Sequence, residues 1–393
     1  MRFLKTAVLT AGLALVASLS ATEKSAGDFP RLSPPASRLP EGMYAEFTTP
    51  RGTFLAELNY TKAPLMCANF SGLAEGTLAP LNGKPFYTGL TFYRVVPGFV
   101  IQSGNPGLKD TDDDKAAHPH RFPDEFGPGL HHDGSGILSM ANAGPDTNSC
   151  EFFITLGATQ RLNYLHSVFG RVIRGLDVLP QIKPDDPCTI KILRVGAAAQ
   201  AFKNDAAAFK ILAAAVKPYA GPAEPGPTAH FDDPAALLPT EVPRAKNFNF
   251  KLANFERVTG IKIAARLFAK SPTAVEDDQP GQFMKALAAK LGTGQHGAVA
   301  AYFADENDWR VWLSDEAAAI FLGHPGTAAD LAPEGALHQL KTTFMDAAIA
   351  EGNAAFARQQ QAAPADKQPP PAQRLKLQTD AMLDGLILKL EPK

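Results

Sequence analysis

Hydrophobic and polar positions alternate along residues 43–60, on both sides of a Pro-Arg-Gly turn. Such alternation is typical of half-buried strands, and a short turn between two of them indicates a hairpin. Residues 62–76 then carry apolar side chains at helical spacing, with Pro64 suited to the first turn and Gly76 to the end of a helix. The pattern therefore predicts a hairpin followed by a short helix.

Short runs typical of strands dominate the next part of the chain, separated by clusters of Gly, Pro, Asn and Asp. They lie at residues 91–96, 99–103, 137–141, 152–156, 168–174 and 189–195. This density of strands, with few helices, predicts a closed antiparallel barrel. One run is unusual, because Arg94 and Gln102 interrupt otherwise apolar strands on either side of a Pro-Gly turn.

The pattern changes near residue 198, where an alanine-rich helix and a Pro- and Gly-rich linker, together 198–230, precede a second unit. Helical and strand patterns then alternate. We predict a helix at 249–260, a strand at 261–268, a helix at 280–292, a strand pair turning at Glu306-Asn307, an alanine-rich helix at 327–359 and a last helix at 375–390. This alternation predicts a smaller α/β domain over 231–360, an α/β/α sandwich, followed by a proline-rich break and C-terminal helix over 361–393.

Composition places the chain among globular proteins. It has 393 residues, 45% hydrophobic and 20% charged, enough for two or roughly three folding units. The net charge of −2 gives no electrostatic footprint for nucleic acid or an anionic membrane. Residues 1–20 join a basic start to a short apolar stretch and small residues, which predicts a cleaved secretory signal peptide with no membrane span afterwards. Residues 21–42 read as a flexible tether, and the localisation predicted is periplasmic or extracellular.

Export leaves three interpretations open for the cysteines Cys67, Cys150 and Cys188: a disulfide, free core thiols, or a redox function. At least one must stay unpaired within a monomer. Their spacing matches no zinc pattern.

Five ordered motifs resemble the cyclophilin family of peptidyl-prolyl cis/trans isomerases over residues 43–197. They are "FYRVVPGFVIQSGNP", "FPDEF", "GILSMANAGPDTNS", "FFITL" and "LHSVFGRVIRGLDVL". The resemblance implies a closed eight-stranded antiparallel barrel capped by two helices, and no cofactor or metal. It also implies a catalytic set of Arg94, Phe99 and Gln102, and a substrate-binding set of Val100, Ala141, Asn142, Glu151, Phe153, Leu162 and His166.

This activity has a simple physical basis. Amide resonance sets a barrier of roughly 18–20 kcal/mol to rotation about the X-Pro bond. A guanidinium aimed at the prolyl nitrogen stabilises the twisted amide more than the planar one, which lowers that barrier. The substrates expected are therefore unfolded or proline-containing polypeptides.

The chain departs from the usual motifs beside the proline pocket. Arg161 replaces a tryptophan or other aromatic residue, which disfavours cyclosporin binding, and "LNYLH" replaces the usual Leu-Asp-Gly-Lys-His. Cys150 and Glu151 replace serine and glutamine, so we expect a negative charge at the groove and a preference for basic or polar residues before proline. These changes also support an alternative, a non-catalytic scaffold or holdase that binds proline segments.

Residues 107–120 replace a glycine-rich loop with acidic residues and histidines. The set is Asp110, Asp112, Asp113, Asp114, His118 and His120, followed by His131 and His132. The spacing does not match a calcium loop, and acidic loops are usually solvated, so no metal site is predicted.

The second unit resembles, more weakly, the TPM-domain family of envelope and thylakoid proteins, over about residues 231–322. The resemblance rests on "DDPAALLPTE", "LGTGQHG" and "DENDWRVWL". It implies an α/β fold, for which our working hypothesis is a docking or client-binding module.

Overall fold

The structure is a computed structural model that describes residues 39–78, 83–106, 121–239 and 244–392. The predicted signal peptide, the predicted tether up to residue 38, and the acidic loop at 107–120 lie outside the described residues.

The first domain is built on an eight-stranded antiparallel sheet. Its strands are β1 Gly42–Thr49, β2 Gly52–Leu58, β3 Arg94–Val96, β4 Val100–Ser103, β5 Ser135–Met140, β6 Phe152–Leu156, β7 Val168–Arg174 and β8 Thr189–Val195. They follow the order β3-β4-β6-β5-β7-β2-β1-β8. The predicted hairpin and all six predicted strand runs are therefore confirmed, and the alternating pattern locates each of them.

The expectation of a closed barrel is not supported. The sheet curls, but within the described residues its end strands β3 and β8 are not paired with each other. Just before each end strand begins, the two edges are joined by an isolated bridge between Thr91 and Pro187 and by backbone hydrogen bonds next to it, such as that from the Phe92 amide to the Asp186 carbonyl at 3.0 Å. No strand pairing between β3 and β8 continues this contact in the described residues, so the architecture is a curled half-barrel.

Helix α1, Pro64–Glu75, packs into the interior of the curled sheet, where Met66, Phe70 and neighbouring residues join the barrel core. Pro64 stands in its first turn and Gly76, with φ of 75°, ends it, as predicted. The side chain of Glu125, from the "FPDEF" motif, accepts hydrogen bonds from the Leu65 and Met66 amides at 2.9 and 3.1 Å. This carboxylate satisfies N–H groups that the helix itself leaves free.

The single alanine-rich helix predicted after the barrel is instead two helices, α2 Ala197–Ala201 and α3 Ala206–Ala215. The break occurs because Asp205 caps α3, accepting from the Ala207 and Ala208 amides at 3.0 and 2.9 Å. Helix α3 packs against α1.

The second domain contains a mixed four-stranded sheet in the order β12-β11-β10-β9. Its strands are β9 Phe231–Asp232, β10 Lys262–Phe268, β11 Gly297–Phe303 and β12 Asp308–Leu313. Strands β9, β10 and β11 are parallel, and β12 turns back antiparallel after Asn307, as predicted. Alternate residues of β10 point to opposite faces, so Ile263 and Ala265 join one core and Ala264 another.

Helices cover both faces of this sheet. They are α4 Arg244–Thr259, α5 Gln282–Lys290, α6 Asp315–Leu322, α7 His338–Ala362 and α8 Ala372–Leu390. Helix α5 packs on one face, and α4, α6, α7 and α8 share the core of the other. Sequence reasoning missed α6, although Ser314 as its N-cap and Gly323 at its end are recognisable signals. It also began the alanine-rich helix too early, since α7 starts at His338.

The three cysteines are free and buried. Of the three interpretations, free core thiols is the one that the structure supports. Burial raises the pKa of the Cys67 thiol and raises that of Cys188 to about 11, so neither is a reactive thiolate near neutral pH. Separately, none of the helices among the described residues is both long and apolar enough to cross a membrane.

Candidate active site

The two polar residues that interrupt the β3–β4 hairpin face each other. Arg94 and Gln102 are direct cross-strand partners, joined by a turn in which Gly98 has φ of 69°. The Arg94 guanidinium donates from Nη1 to Gln102 Oε1 at 3.2 Å, and Arg94 is exposed. The hairpin therefore presents a guanidinium to solvent with one of its N–H groups already fixed.

Glu151 holds the other end of the Gln102 side chain. Gln102 Nε2 donates to Glu151 Oε2 at 2.8 Å, and Asn105 Nδ2 donates to Glu151 Oε1 at 3.0 Å. The Tyr93 hydroxyl also donates to Glu151, and burial, with the nearby carboxylate, raises its pKa so that it stays protonated. Because a carboxylate can only accept, the Gln102 amide must turn its NH₂ to Glu151 and its oxygen to Arg94.

Four predicted site residues line one polar groove beside this network. The groove is lined by Gln102, Arg121, Ala141, Asn142, Ala143, Thr147, Ser149 and Glu151. The Asn142 side chain turns inward, donating to Asp124 Oδ1 at 3.2 Å and to the Leu165 carbonyl at 2.9 Å. Any contact of Asn142 with a substrate backbone must therefore use its main chain.

A separate aromatic cluster contains the predicted pocket residues Phe153 and His166. Their rings meet edge to face at 5.4 Å, and His132 stacks on the other side of Phe153 at 5.7 Å. His166 Nδ1 donates to the Met140 carbonyl at 3.1 Å, which fixes its tautomer. Burial lowers the pKa of His166 to about 4, so the ring is neutral at physiological pH.

Arg161 lies beside two further predicted site residues, Phe99 and Leu162. Its guanidinium stacks over the Phe99 ring at 4.5 Å, with Arg94 at 5.9 Å from the same ring. Leu162 follows Arg161 in a short 3₁₀ turn, Gln160–Leu162. Val100 is buried in β4, paired with Thr155, and so supports the strand.

Sequence reasoning missed two buried side chains behind the site. Asp124 accepts from Asn148 Nδ2 at 2.7 Å and from the Asp146 amide at 2.8 Å, besides holding Asn142. Burial raises its pKa to about 6. His132 Nδ1 donates to Asn163 Oδ1 at 3.0 Å, and Nε2 of the neutral ring accepts from the Ser139 hydroxyl at 2.9 Å. The "FPDEF" motif could have pointed to Asp124. The two adjacent histidines, considered only as metal ligands, belong to no cluster of metal-binding side chains in the described part of the chain.

Comparison with known proteins identifies the family of the first domain. A family model described as cyclophilin type peptidyl-prolyl cis-trans isomerase/CLD matches residues 44–196. The peptidyl-prolyl cis-trans isomerase ppi1 of Schizosaccharomyces pombe is 46% identical over 136 residues, which cover 34% of this chain and 80% of that protein. The human peptidyl-prolyl cis-trans isomerase-like 1 is 39% identical over 149 residues, 38% of this chain and 83% of that one.

Among solved structures, a cyclophilin type peptidyl-prolyl cis-trans isomerase of Cryptosporidium parvum is 30% identical. It aligns with 39% of this chain and 98% of its own, at a TM-score of 0.33. A second structure of that protein was solved in the presence of the dipeptide Ala-Pro, with a TM-score of 0.32. On the strength of the family model and the curated relatives, this chain belongs to the cyclophilin-type peptidyl-prolyl cis-trans isomerases.

Proposed function

We propose that the chain accelerates rotation about X-Pro bonds in exported, unfolded or proline-containing polypeptides, and so assists their folding. The observation that carries the proposal is the exposed Arg94 guanidinium, held by Gln102 at the end of a groove. Family membership supports the reaction, and the arrangement of side chains supports the assignment of residues to it.

Arg94 acts on the prolyl amide. A guanidinium has five N–H donors, and the bond to Gln102 uses one of them, so others can reach the substrate nitrogen. Rotation requires that nitrogen to lose conjugation and gain lone-pair character. A donor aimed at it therefore binds the twisted amide better than the planar one, which is transition-state stabilisation without a nucleophile or cofactor.

Phe99, Phe153, Leu162 and His166 hold the proline ring, while the main chain of Ala141 and Asn142 holds the substrate backbone. The neutral state of His166 suits an apolar ring. Fixing the ring lets the acyl side of the bond turn while Arg94 remains in place.

Glu151 contributes to selectivity as well as to geometry. Its carboxylate lines the groove next to Gln102, where the residue before proline would lie. A negative charge there favours a basic or polar side chain in the substrate.

One observation favours the rival function, a scaffold that binds proline segments without catalysis. The Arg161 guanidinium covers the face of Phe99 at 4.5 Å, a face that a prolyl ring would need. Under the catalytic proposal this exposed side chain swings aside when substrate enters. Under the rival proposal, the Arg161 side chain stays over Phe99 and prevents a prolyl ring from binding against that face.

Export is proposed from residues 1–20 alone, through their basic start and apolar stretch. Expression of the full chain in a bacterium, followed by fractionation and N-terminal sequencing, tests it. A product outside the cytoplasm, with the first residues removed near position 20, supports export; an intact cytoplasmic product contradicts it.

Arg94→Ala tests the enzyme proposal. With a series of short X-Pro peptides, we expect kcat/KM to fall about a hundredfold, since one well-aimed donor is worth about 3 kcal/mol. Arg171→Ala is the matched control, because Arg171 is exposed and pairs with Asp133 away from the groove. Equal rates for the wild type and Arg94→Ala, both near the uncatalysed rate, would leave only the binding function.

A further inference from the structure

Tyr164 adopts a backbone conformation that its side chain does not favour. Its φ is 59°, in the left-handed region that a residue with a Cβ rarely occupies. It lies in the segment "LNYLH", at the position where the usual motif has glycine. Such a conformation persists only where the surrounding structure holds it in place.

The groups that hold Tyr164 come largely from the second domain. Its side chain is 4% exposed and belongs to that domain's hydrophobic core, with its ring edge-to-face on Phe255 at 5.2 Å. Its hydroxyl donates to Glu391, and its carbonyl accepts from Asn254 Nδ2 at 2.9 Å. Tyr164 is therefore anchored at both its side chain and its backbone.

Glu391, at the end of α8, makes the polar part of this anchor. Besides Tyr164, its carboxylate accepts from the Gly129 amide at 3.1 Å and pairs with His131 Nε2 at 2.9 Å. Burial alone would raise the pKa of Glu391, but the hydrogen bonds from His131 and Tyr164 outweigh it and hold the pKa below its ordinary value. The carboxylate is thus a charged acceptor for three groups of the first domain.

The anchored tyrosine stands in the middle of the pocket loop, which we define as residues 162–166. The loop begins at Leu162 and ends at His166, and the Leu162 carbonyl accepts from the Leu165 and His166 amides, both at 3.1 Å. Helix α8 also packs against the 3₁₀ turn that carries Leu162. A shift of Tyr164 in so tight a turn must move one or both of the flanking residues.

We propose that Tyr164 and Glu391 are positioning residues for the isomerase: through them the second domain holds Leu162 and His166 in place, and substrate affinity depends on that docking. The inference rests on the proposed function of Leu162 and His166 as walls of the proline pocket. Neither Tyr164 nor Glu391 is a catalytic residue, since both act through the loop.

The test compares full-length wild type, Glu391→Gln and Tyr164→Phe on an Ala-Pro peptide, with kcat and KM determined separately. We expect KM to rise about fivefold in each variant while kcat stays within about twofold, because loss of binding common to ground and transition states raises KM alone. Tyr164→Phe removes the hydrogen bond to Glu391, and Glu391→Gln removes the charge of its acceptor, so the effects of the two in the double variant should be less than additive. Hydrogen exchange of the Leu165 and His166 amides should be faster in the two single variants and in the double variant than in the wild type.

A purely structural effect gives a different result. Partial unfolding reduces the active fraction, which lowers the apparent kcat and leaves KM unchanged, and that outcome would overturn the proposal. Tyr164→Gly is a further variant that removes the side chain without straining the backbone, because glycine adopts the observed φ freely. It should still raise KM, and a wild-type KM in this variant would also overturn the proposal.

The control is Glu351→Gln, which removes a carboxylate on α7 whose partner Arg358 is exposed. We expect its KM to match the wild type. Wild-type KM values for Glu391→Gln and Tyr164→Phe in an active protein defeat this inference alone. A wild type no faster than Arg94→Ala defeats the proposed function first, so the two failures can be told apart.

Discussion

The two sides of the proposed active site are supported by very different parts of the chain. Arg94 and Gln102 are eight residues apart on one hairpin, and Glu151 joins them from the position just before β6, the strand paired with β4. The pocket loop instead rests on Asn254 and Glu391, 90 and 227 residues from Tyr164. All the residues that support the Arg94 side lie within the region that the family model matches, whereas Asn254 and Glu391, which support the pocket loop, lie outside it.

This difference indicates how a second domain can support part of a site that lies in the first. The Arg94 side needs no support from outside the curled sheet, so it can keep its geometry whatever follows residue 196. The pocket loop has, where the usual motif has glycine, a tyrosine whose conformation depends on the second domain. Changes in that domain should therefore affect one side of the groove and not the other.

The largest effect is expected from Lys251→Met. Lys251 is fully buried in α4 and pairs with Asp384 of α8, so the substitution leaves a buried carboxyl group without its cation. We expect the second domain to lose about 3–5 kcal/mol of stability. Hydrogen exchange should show lost protection in the second domain and the pocket loop, with the β3–β4 hairpin unchanged.

Replacing both partners, Lys251→Met with Asp384→Leu, should restore much of that stability, because an apolar pair carries no desolvation penalty. Equal loss of protection in the hairpin and the pocket loop would contradict the comparison between the two sides.

The next effect is a pH dependence from His132, which supports the pocket side from within the first domain. Burial lowers the pKa of His132 to about 3, whereas an unfolded histidine titrates near 6.5. Between these values the unfolded chain binds the proton and the native one does not. Stability therefore falls as pH falls from about 6.5 to 3, by a few kcal/mol in total.

The measurement is the thermal midpoint of wild type and of His132→Gln at several pH values in that window. The difference between the two should change with pH in the sense that the wild type loses more on acidification. This subtraction matters because Asp124, with its pKa raised to about 6, acts in the opposite direction, losing stability as pH rises from about 4 to 6. Parallel curves for the two proteins would be inconsistent with a buried, neutral His132.

A smaller effect is expected from Glu151→Gln on the other side of the groove. A glutamine can donate as well as accept, so it no longer fixes the orientation of the Gln102 amide against Arg94. We expect kcat/KM to fall about fivefold, equivalent to about 1 kcal/mol. The preference for basic residues before proline should weaken as well.

Glu57→Gln is the matched control for Glu151→Gln, because Glu57 is an exposed glutamate on β2. It should leave both the rate and the substrate preference unchanged. If Glu151→Gln alters neither the rate nor the substrate preference, Glu151 neither orients the Gln102 amide for catalysis nor selects the residue before proline.

The smallest effect is expected from the loss of a charge that lies on neither side of the active site. Arg171 and Asp133 form an exposed ion pair at 3.1 Å, which is worth little in water. Asp133→Asn should change the free energy of unfolding by less than about 0.5 kcal/mol and leave kcat and KM unchanged. Chemical denaturation and the peptide assay measure both.

Local patterns predicted most of the elements. Alternation located the strands of the curled sheet, and Pro64 and Gly76 marked the ends of α1, because each depends on residues close in sequence. The closure of the barrel was predicted wrongly, since closure depends on how far the sheet curls and not on any strand's own pattern. The break at Asp205 and the helix after Ser314 were missed, although their capping residues were visible.

By itself, the sequence determined where the strands lie, the Pro-Gly turn between Arg94 and Gln102, and the family, because these follow from short-range periodicity and ordered motifs. Only the tertiary structure decided that Glu151 orients Gln102, that Asp124 and His132 support the site from behind, and that Tyr164 is anchored by Glu391. Those contacts join residues far apart in the chain, and their geometry follows from how the two cores pack, which no local pattern encodes.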